Sequence, residues 1–300
     1  MEPRQGTVLV AGATGFIGTR LVQALLAAGF RVRALVRTPG AQFPKEVETV
    51  RGDLLVRASL DPVLAGVDTA YYLVHSMAGG RAGFERRDRQ AVENFVAAAN
   101  SAGLRRAIYL GGLGETGSGL SGHLASRLEV ARILQSGAFL TTVLRAAIII
   151  GTGGASYEII KALVTRLPIM ITPRWVSTRC QPIAVGDVIR YLIGCLQDER
   201  TANDTFDIGG PEILSYREMM ERFARIIDKK ILILPVPLLT PKLSSYWVGL
   251  VTPVRPSISM PLIEGLRNEV ICRDTRIRQL LPFALTAFDE SIRISLAEAT

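Results

Sequence analysis

A chain of 300 residues with 48% hydrophobic content can build one large α/β domain, or one domain with a lobe grafted onto it. Its formal charge of +8 comes from scattered Lys and Arg with no run of five or six, which argues against a nucleic-acid partner. Cys180, Cys195 and Cys272 are isolated and odd in number, so no metal site is expected, and a reducing cytoplasm fits best. The N-terminus leads directly into a strand, so no signal peptide is expected.

That first strand is Thr7 to Val10, four apolar or β-branched residues. Gly12, Gly15 and Gly18 follow, and then Ile17, Leu21, Leu25 and Ala28 mark a helix that stops at Gly29. Strand, tight turn and helix form the context in which a glycine motif binds a dinucleotide. Gly12 permits the turn, Gly15 lets the backbone approach a pyrophosphate, and Gly18 lets helix and strand pack closely. The phosphates would sit on the N–H groups of the helix N-terminus. Gly12, Thr14, Gly15, Phe16, Ile17 and Gly18 are therefore candidate cofactor-binding residues.

Further strands are expected over Phe30 to Val36, Glu48 to Arg51, Thr69 to Val74, Arg106 to Leu110, Thr142 to Ile150 and Thr205 to Ile208. Helices are expected over Ser59 to Leu64, Phe84 to Ser101 and Leu120 to Gln135. This βαβ series predicts an α/β fold, a doubly wound parallel sheet of Rossmann type, with cofactor across the carboxyl ends of its strands. Residues 1–150, completed by 183–209, would make the NAD(P)-binding domain. Residues 151–182 and 210–300 would make a smaller C-terminal substrate lobe, with helices over Tyr157 to Arg166, Gln181 to Gln197 and Tyr216 to Ile227.

The stretch from Ile231 to Leu262 is apolar and broken by Pro235, Pro237, Pro241, Pro253, Pro256 and Pro261. These prolines prevent a continuous helix, and no uninterrupted run approaches the ~20 residues of a membrane span. Its main expected use is to line an apolar substrate cleft. Peripheral membrane contact is the alternative, because Leu243 to Val251 carries no charge.

The cofactor can be narrowed. NAD-preferring folds place an acid about 20 residues past the glycines, to hold the ribose 2′-OH. Here Val32 to Gly40 has no acid, and Arg37, with Arg33 near, offers a guanidinium suited to a 2′-phosphate. NADP(H) is the expected cofactor, with NAD(H) as the alternative.

Gly12-x-x-Gly15-x-x-Gly18, Arg37, Gly52-Asp53-Leu54 and Tyr109-Leu-Gly-Gly112 together resemble the short-chain dehydrogenase/reductase superfamily, with the glycine spacing of its extended, epimerase-like members. Gln181-Pro-Ile-Ala-Val-Gly-Asp187 and Ile208-Gly-Gly-Pro-Glu212 look like its later landmarks. The resemblance implies that Asp53 and Leu54 flank the adenine, and that Val74, His75 and Ser76 run past the ribose and nicotinamide. The superfamily's Tyr-x-x-x-Lys belongs on the helix after the fifth strand. Tyr157-Glu-Ile-Ile-Lys161 falls after the sixth and is read as coincidence. The expected helix carries His123-Leu-Ala-Ser-Arg127, which is similar to atypical, NmrA-like members in which His-x-x-x-Arg replaces the usual pair.

Residues four apart share a helix face, so His123 and Arg127 are the candidate catalytic pair. Arg127 can hold a developing oxyanion, and a neutral His123 can donate to a carbonyl. Two readings stand. One is an NADP(H)-dependent oxidoreductase acting on an apolar carbonyl or enone-type small molecule. The other is a non-catalytic NADP(H)-binding regulator or accessory protein with a protein or membrane partner.

Overall fold

The computed structural model describes residues 6–38, 40–74, 81–114, 122–172, 174–235 and 268–298. Five strands follow the expected βα alternation: β1 (Thr7–Ala11), β2 (Arg31–Val36), β3 (Glu48–Arg51), β4 (Val67–Tyr72) and β5 (Arg106–Gly112). With β6 (Leu140–Ala146) and Thr205–Ile208 they form a seven-stranded sheet. Its order is Thr205–Ile208, β6, β5, β4, β1, β2, β3, and all its pairings are parallel. The order reverses between β1 and β4, and that switch opens a crevice at their carboxyl ends.

Both faces of the sheet are covered, as a parallel sheet requires. The period-2 alternation of a strand puts Val8 and Val10 on one face and Leu9 and Ala11 on the other. Val8 and Val10 pack against helix α1 (Phe16–Ala27) through Leu21 and Leu25, and against the helix Val185–Gln197 through Val188 and Leu192. Leu9 and Ala11 share the opposite core with Leu60, Val63 and Leu64, the last two on α2 (Asp61–Leu64). Phe95 on α3 (Arg81–Ala102) and Leu134 on α4 (Gly122–Gln135) complete that core. A third cluster gathers Tyr157 on α5 (Ala155–Arg166), Met219 and Phe223 on the helix Tyr216–Ile226, and Ile292 on the helix Phe288–Ala297.

Three expectations are corrected. The sixth strand, expected through Ile150, ends at Ala146, and Ile149–Ile150 forms a separate strand that pairs with Ile183–Ala184. The run from Thr142 to Ile150 is apolar but for Thr142 and Arg145 and has no Gly or Pro, so no residue type marked where the chain leaves the sheet. The helix expected from Gln181 begins at Val185, because Ile183 and Ala184 are taken by that pairing and Pro182 stands before them. The segment at Ser59 is a 3-10 turn, Arg57–Leu60, leading into the single turn of α2.

Candidate functional site

The crevice is built from the β1–α1 turn outward. Gly12 takes φ +90°. A Cβ there would lie 2.9 Å from the carbonyl of Leu73 at the end of β4. Both facts restrict the position to glycine. The Gly15 amide closes the turn on the Gly12 carbonyl at 3.0 Å. A Cβ on Gly18 would fall 2.1 Å from that same carbonyl, so α1 reaches this close to the turn only with glycine there. The first turn of α1 has no side-chain cap and no acidic residue, which leaves its N–H groups suited to an anion. Thr14 and Gly15 are exposed at this end, and Ile17 is half-buried. The Phe16 ring lies beneath the Arg20 guanidinium at 4.9 Å and against Gly151 and Gly154, so its side chain braces the turn.

Arg37 is exposed one residue beyond β2. Arg33 does not join it. Its Nε donates to Glu48 at 2.8 Å, and its Nη1 donates to the Val63 and Ala65 carbonyls at 2.9 and 2.7 Å. The second arginine at this end is Arg51, which the sequence reading passed over. It is exposed, closes β3, and stands in register with Val36. The signal was a basic residue directly before Gly52-Asp53. Asp53 turns one carboxylate oxygen onto the Leu55 amide at 2.9 Å. Leu54 is buried in the core, and its carbonyl accepts from Asn94 at 2.8 Å. Val74 is half-buried against the same core. His75 and Ser76 lie outside the described residues.

On the far side of the crevice, β5 ends in Gly111-Gly112. A Cβ on Gly112 would stand 3.1 Å from Arg127 Cδ and 3.1 Å from Leu124 Cδ2, so the glycine makes room for the arginine. The Tyr109 hydroxyl donates to the Arg127 carbonyl at 3.4 Å. Burial pushes that phenol up to about 12, while the charge of Arg127 pulls the other way. Burial lowers the guanidinium pKa, and Tyr109 and Asp88 oppose it. Asp88 on α3 is buried and accepts from Ser126 at 3.3 Å. Nothing in the charge-rich Glu85-Arg-Arg-Asp-Arg89 distinguished it in the sequence. His123 sits in the first turn of α4, one helical turn before Arg127, and its side chain lies outside the described residues.

Tyr157 is elsewhere. It is fully buried in the third cluster, 6.0 Å from the Phe223 ring, with Lys161 Nζ 5.8 Å above its own ring. Burial and then the negative Glu158 push its hydroxyl up to about 12.

Beside the end of β5 is a cavity of about 280 Å³, lined by Leu113, Gly114, Arg145, Asp207, Glu269 and Arg273 among others. Arg145 pairs with the buried Asp207 at 2.6 Å, and Asp207 also accepts from the Arg273 and Asp274 amides. This wall is of mixed polarity. Among the described residues no group of His, Cys, Asp and Glu could hold a metal.

The family model described as NAD(P)H-binding matches residues 12–161, half of the chain. A curated relative, the chloroplastic divinyl chlorophyllide a 8-vinyl-reductase of Oryza sativa subsp. indica, is 27% identical over 258 residues, covering 79% of this chain and 63% of its own length. The chain spans less than two thirds of the length of the curated relatives it matches. Among solved structures, a nucleoside-diphosphate-sugar epimerase from Staphylococcus aureus superimposes with TM-score 0.78 at 17% identity, over 96% of this chain and 100% of that one. The Citrobacter sp. triphenylmethane reductase complexed with NADP(H) gives 0.76 at 18% identity, over 96% and 99%. At these identities the structural matches establish the fold.

Proposed function

This chain belongs to the NAD(P)H-binding family, and from that premise we propose that it is an NADP(H)-dependent reductase acting on an apolar carbonyl or enone-type substrate. The observation that carries the reading is Arg127, packed on Gly112 where β5 ends beside the crevice. The name of the 8-vinyl-reductase supports reduction of a carbon–carbon double bond in this lineage, and the name of the triphenylmethane reductase supports NADP(H) on this fold.

The turn from Gly12 to Gly18 and the start of α1 would hold the pyrophosphate through backbone N–H groups. Arg37 and Arg51 would hold the 2′-phosphate, and Asp53 and Leu54 would border the adenine. Val74, His75 and Ser76 would run along the ribose and nicotinamide, and residues 151–182 and 210–300 would form the substrate lobe. When bound, the reduced nicotinamide supplies hydride to the electrophilic carbon. Arg127 holds the negative charge that then grows on the substrate oxygen. A guanidinium does not give up its proton near pH 7. The proton must come from another group, and His123, one turn away on α4, is the residue of suitable chemistry.

The test is NADPH consumption across a panel of apolar aldehydes, ketones and enones. His123→Ala should lower turnover by about 10²–10⁴-fold with NADPH affinity nearly intact. Arg127→Ala should lower it by about 10²–10³-fold. Tyr157→Phe should stay within a few fold of the parent. Tight NADPH binding with no turnover on any substrate would overturn the enzyme reading in favour of a binding protein. Loss of activity in Tyr157→Phe alone would overturn the residue assignment.

A further inference from the structure

Outside the seven-stranded sheet, the strands Ile169–Thr172 and Leu232–Pro235 pair in parallel, and among the described residues they form a two-stranded ribbon of their own. Its inner face puts Met170 and Ile233 into the third cluster. Its outer face presents four aliphatic side chains in register, Ile169 beside Leu232 and Ile171 beside Leu234, at 58%, 51%, 54% and 43% exposure. Half-exposed branched aliphatics are common singly, but four in a two-by-two block on one face mark a contact surface.

The charges show what kind of surface. Because the strands are parallel, their amino ends lie together, and the Leu232 amide donates a hydrogen bond to the Pro168 carbonyl at 2.9 Å. At that end stand Arg166, exposed at the close of α5, and Lys229 and Lys230, whose first member donates to the Thr165 carbonyl. Asp228 is the acid beside them. A second copy stacked on this face with its strands running the same way would bring the basic rim against itself. An anionic surface would be attracted to it, and branched aliphatics beside basic residues are the composition of an interfacial membrane contact. Among the described residues no helix is long and apolar enough to cross a membrane.

We propose that the outer face of this ribbon docks on an anionic phospholipid bilayer, with Ile169, Ile171, Leu232 and Leu234 in the acyl boundary and the basic end at the headgroups. The proposal is independent of the reaction at the crevice.

The test floats the purified full chain with vesicles of phosphatidylcholine alone and of phosphatidylcholine mixed with phosphatidylglycerol. The chain should float with the mixed vesicles, and less with the neutral ones. The pair Ile171→Ser with Leu234→Ser should lower partitioning at least about tenfold. Lys230→Glu should lower it by a similar factor, and more at low salt than at high. Circular dichroism checks that each variant is folded, and if the serine pair is not, Lys230→Glu decides alone. Failure of the parent to float, equal flotation on both vesicles, or parent-like flotation of the folded variants would overturn the proposal. So would a parent dimer in light scattering that the serine pair converts to monomer, since a second copy would then be the occupant.

Discussion

Gly15 and Gly18 stand three residues apart in one turn, and a methyl group would meet very different surroundings at each. At Gly15 a Cβ would meet only the Gly12 carbonyl, at 3.2 Å, and the backbone is extended at φ −82°. At Gly18 it would collide with backbone at 2.1 Å. Gly15→Val should therefore fold and lose nucleotide binding, whereas Gly18→Ala should lower the melting temperature itself. Thermal unfolding with and without NADPH separates the two effects, and an equal loss of stability in both variants would refute the distinction. The arginines give a second prediction. Arg37 and Arg51 close adjacent strands at one end of the crevice, so NADPH should bind more tightly than NADH. Arg37→Glu should remove or reverse that preference, at about 1.5–3 kcal/mol for a charge-assisted contact. Calorimetric titration giving equal affinities in the parent would refute it.

At the scale of elements, the helix Tyr216–Ile226 shows how local chemistry fixes a boundary. The Ser215 hydroxyl accepts from the Glu218 amide at 3.2 Å, and Glu218 accepts in return from the Ser215 amide at 2.7 Å. This capping box starts a helix whose Met219, Met220 and Phe223 enter the third cluster. Ser215→Ala should cost about 1 kcal/mol in denaturant unfolding, and no change would mean that packing alone sets the boundary. Elements announced by such punctuation were legible from the sequence. The turn of Gly12, Gly15 and Gly18 identified α1 and the crevice, and Glu48–Arg51 and Thr205–Ile208 appear with the bounds expected. The end of β6 was not legible, because its cause lies across the sequence, in the pairing of Ile149–Ile150 with Ile183–Ala184. The same holds for the surroundings of Arg127. Its place in a motif was readable, but Gly112, Tyr109 and Asp88 come from other elements and only the fold brings them near. Arg33 failed for the converse reason, since Glu48 and two carbonyls claim it from neighbouring segments.

At the scale of the molecule, residues 268–298 are held to the body by Ile277, Phe288 and Ile292 in the apolar clusters and by a set of carboxylates. Asp204 pairs with Arg276 at 2.7 Å, and Arg276 is held from within the same segment by Asp274. Glu212 accepts from the Phe288 amide at 2.8 Å and from Arg222, which also pairs with Asp289 on the terminal helix at 2.7 Å. Asp187 accepts from the Thr286 amide at 2.7 Å. The Arg276 side chain holds the carboxyls of Asp204 and Asp274 below their ordinary range. For Glu212, burial acts upward, but the Arg222 and Phe288 hydrogen bonds outweigh it and the carboxyl is lowered too. A depressed folded pKa means that the unfolded chain takes up protons first. The stabilisation is therefore present above the unfolded values, near 4, and is lost as the pH falls through the lower folded values. Because several of these fastenings converge on residues 268–298, that segment should open before the sheet does. Hydrogen exchange read by mass spectrometry between pH 7 and pH 3, corrected for intrinsic rates, should show peptides from 268–298 losing protection first. Those covering β1, β4, β5 and β6 should hold to lower pH, because their inward residues sit in the two apolar cores with few titrating partners. Simultaneous loss of protection throughout would mean that residues 268–298 and the sheet form one cooperative unit, and that these carboxylates do not set the order of acid unfolding.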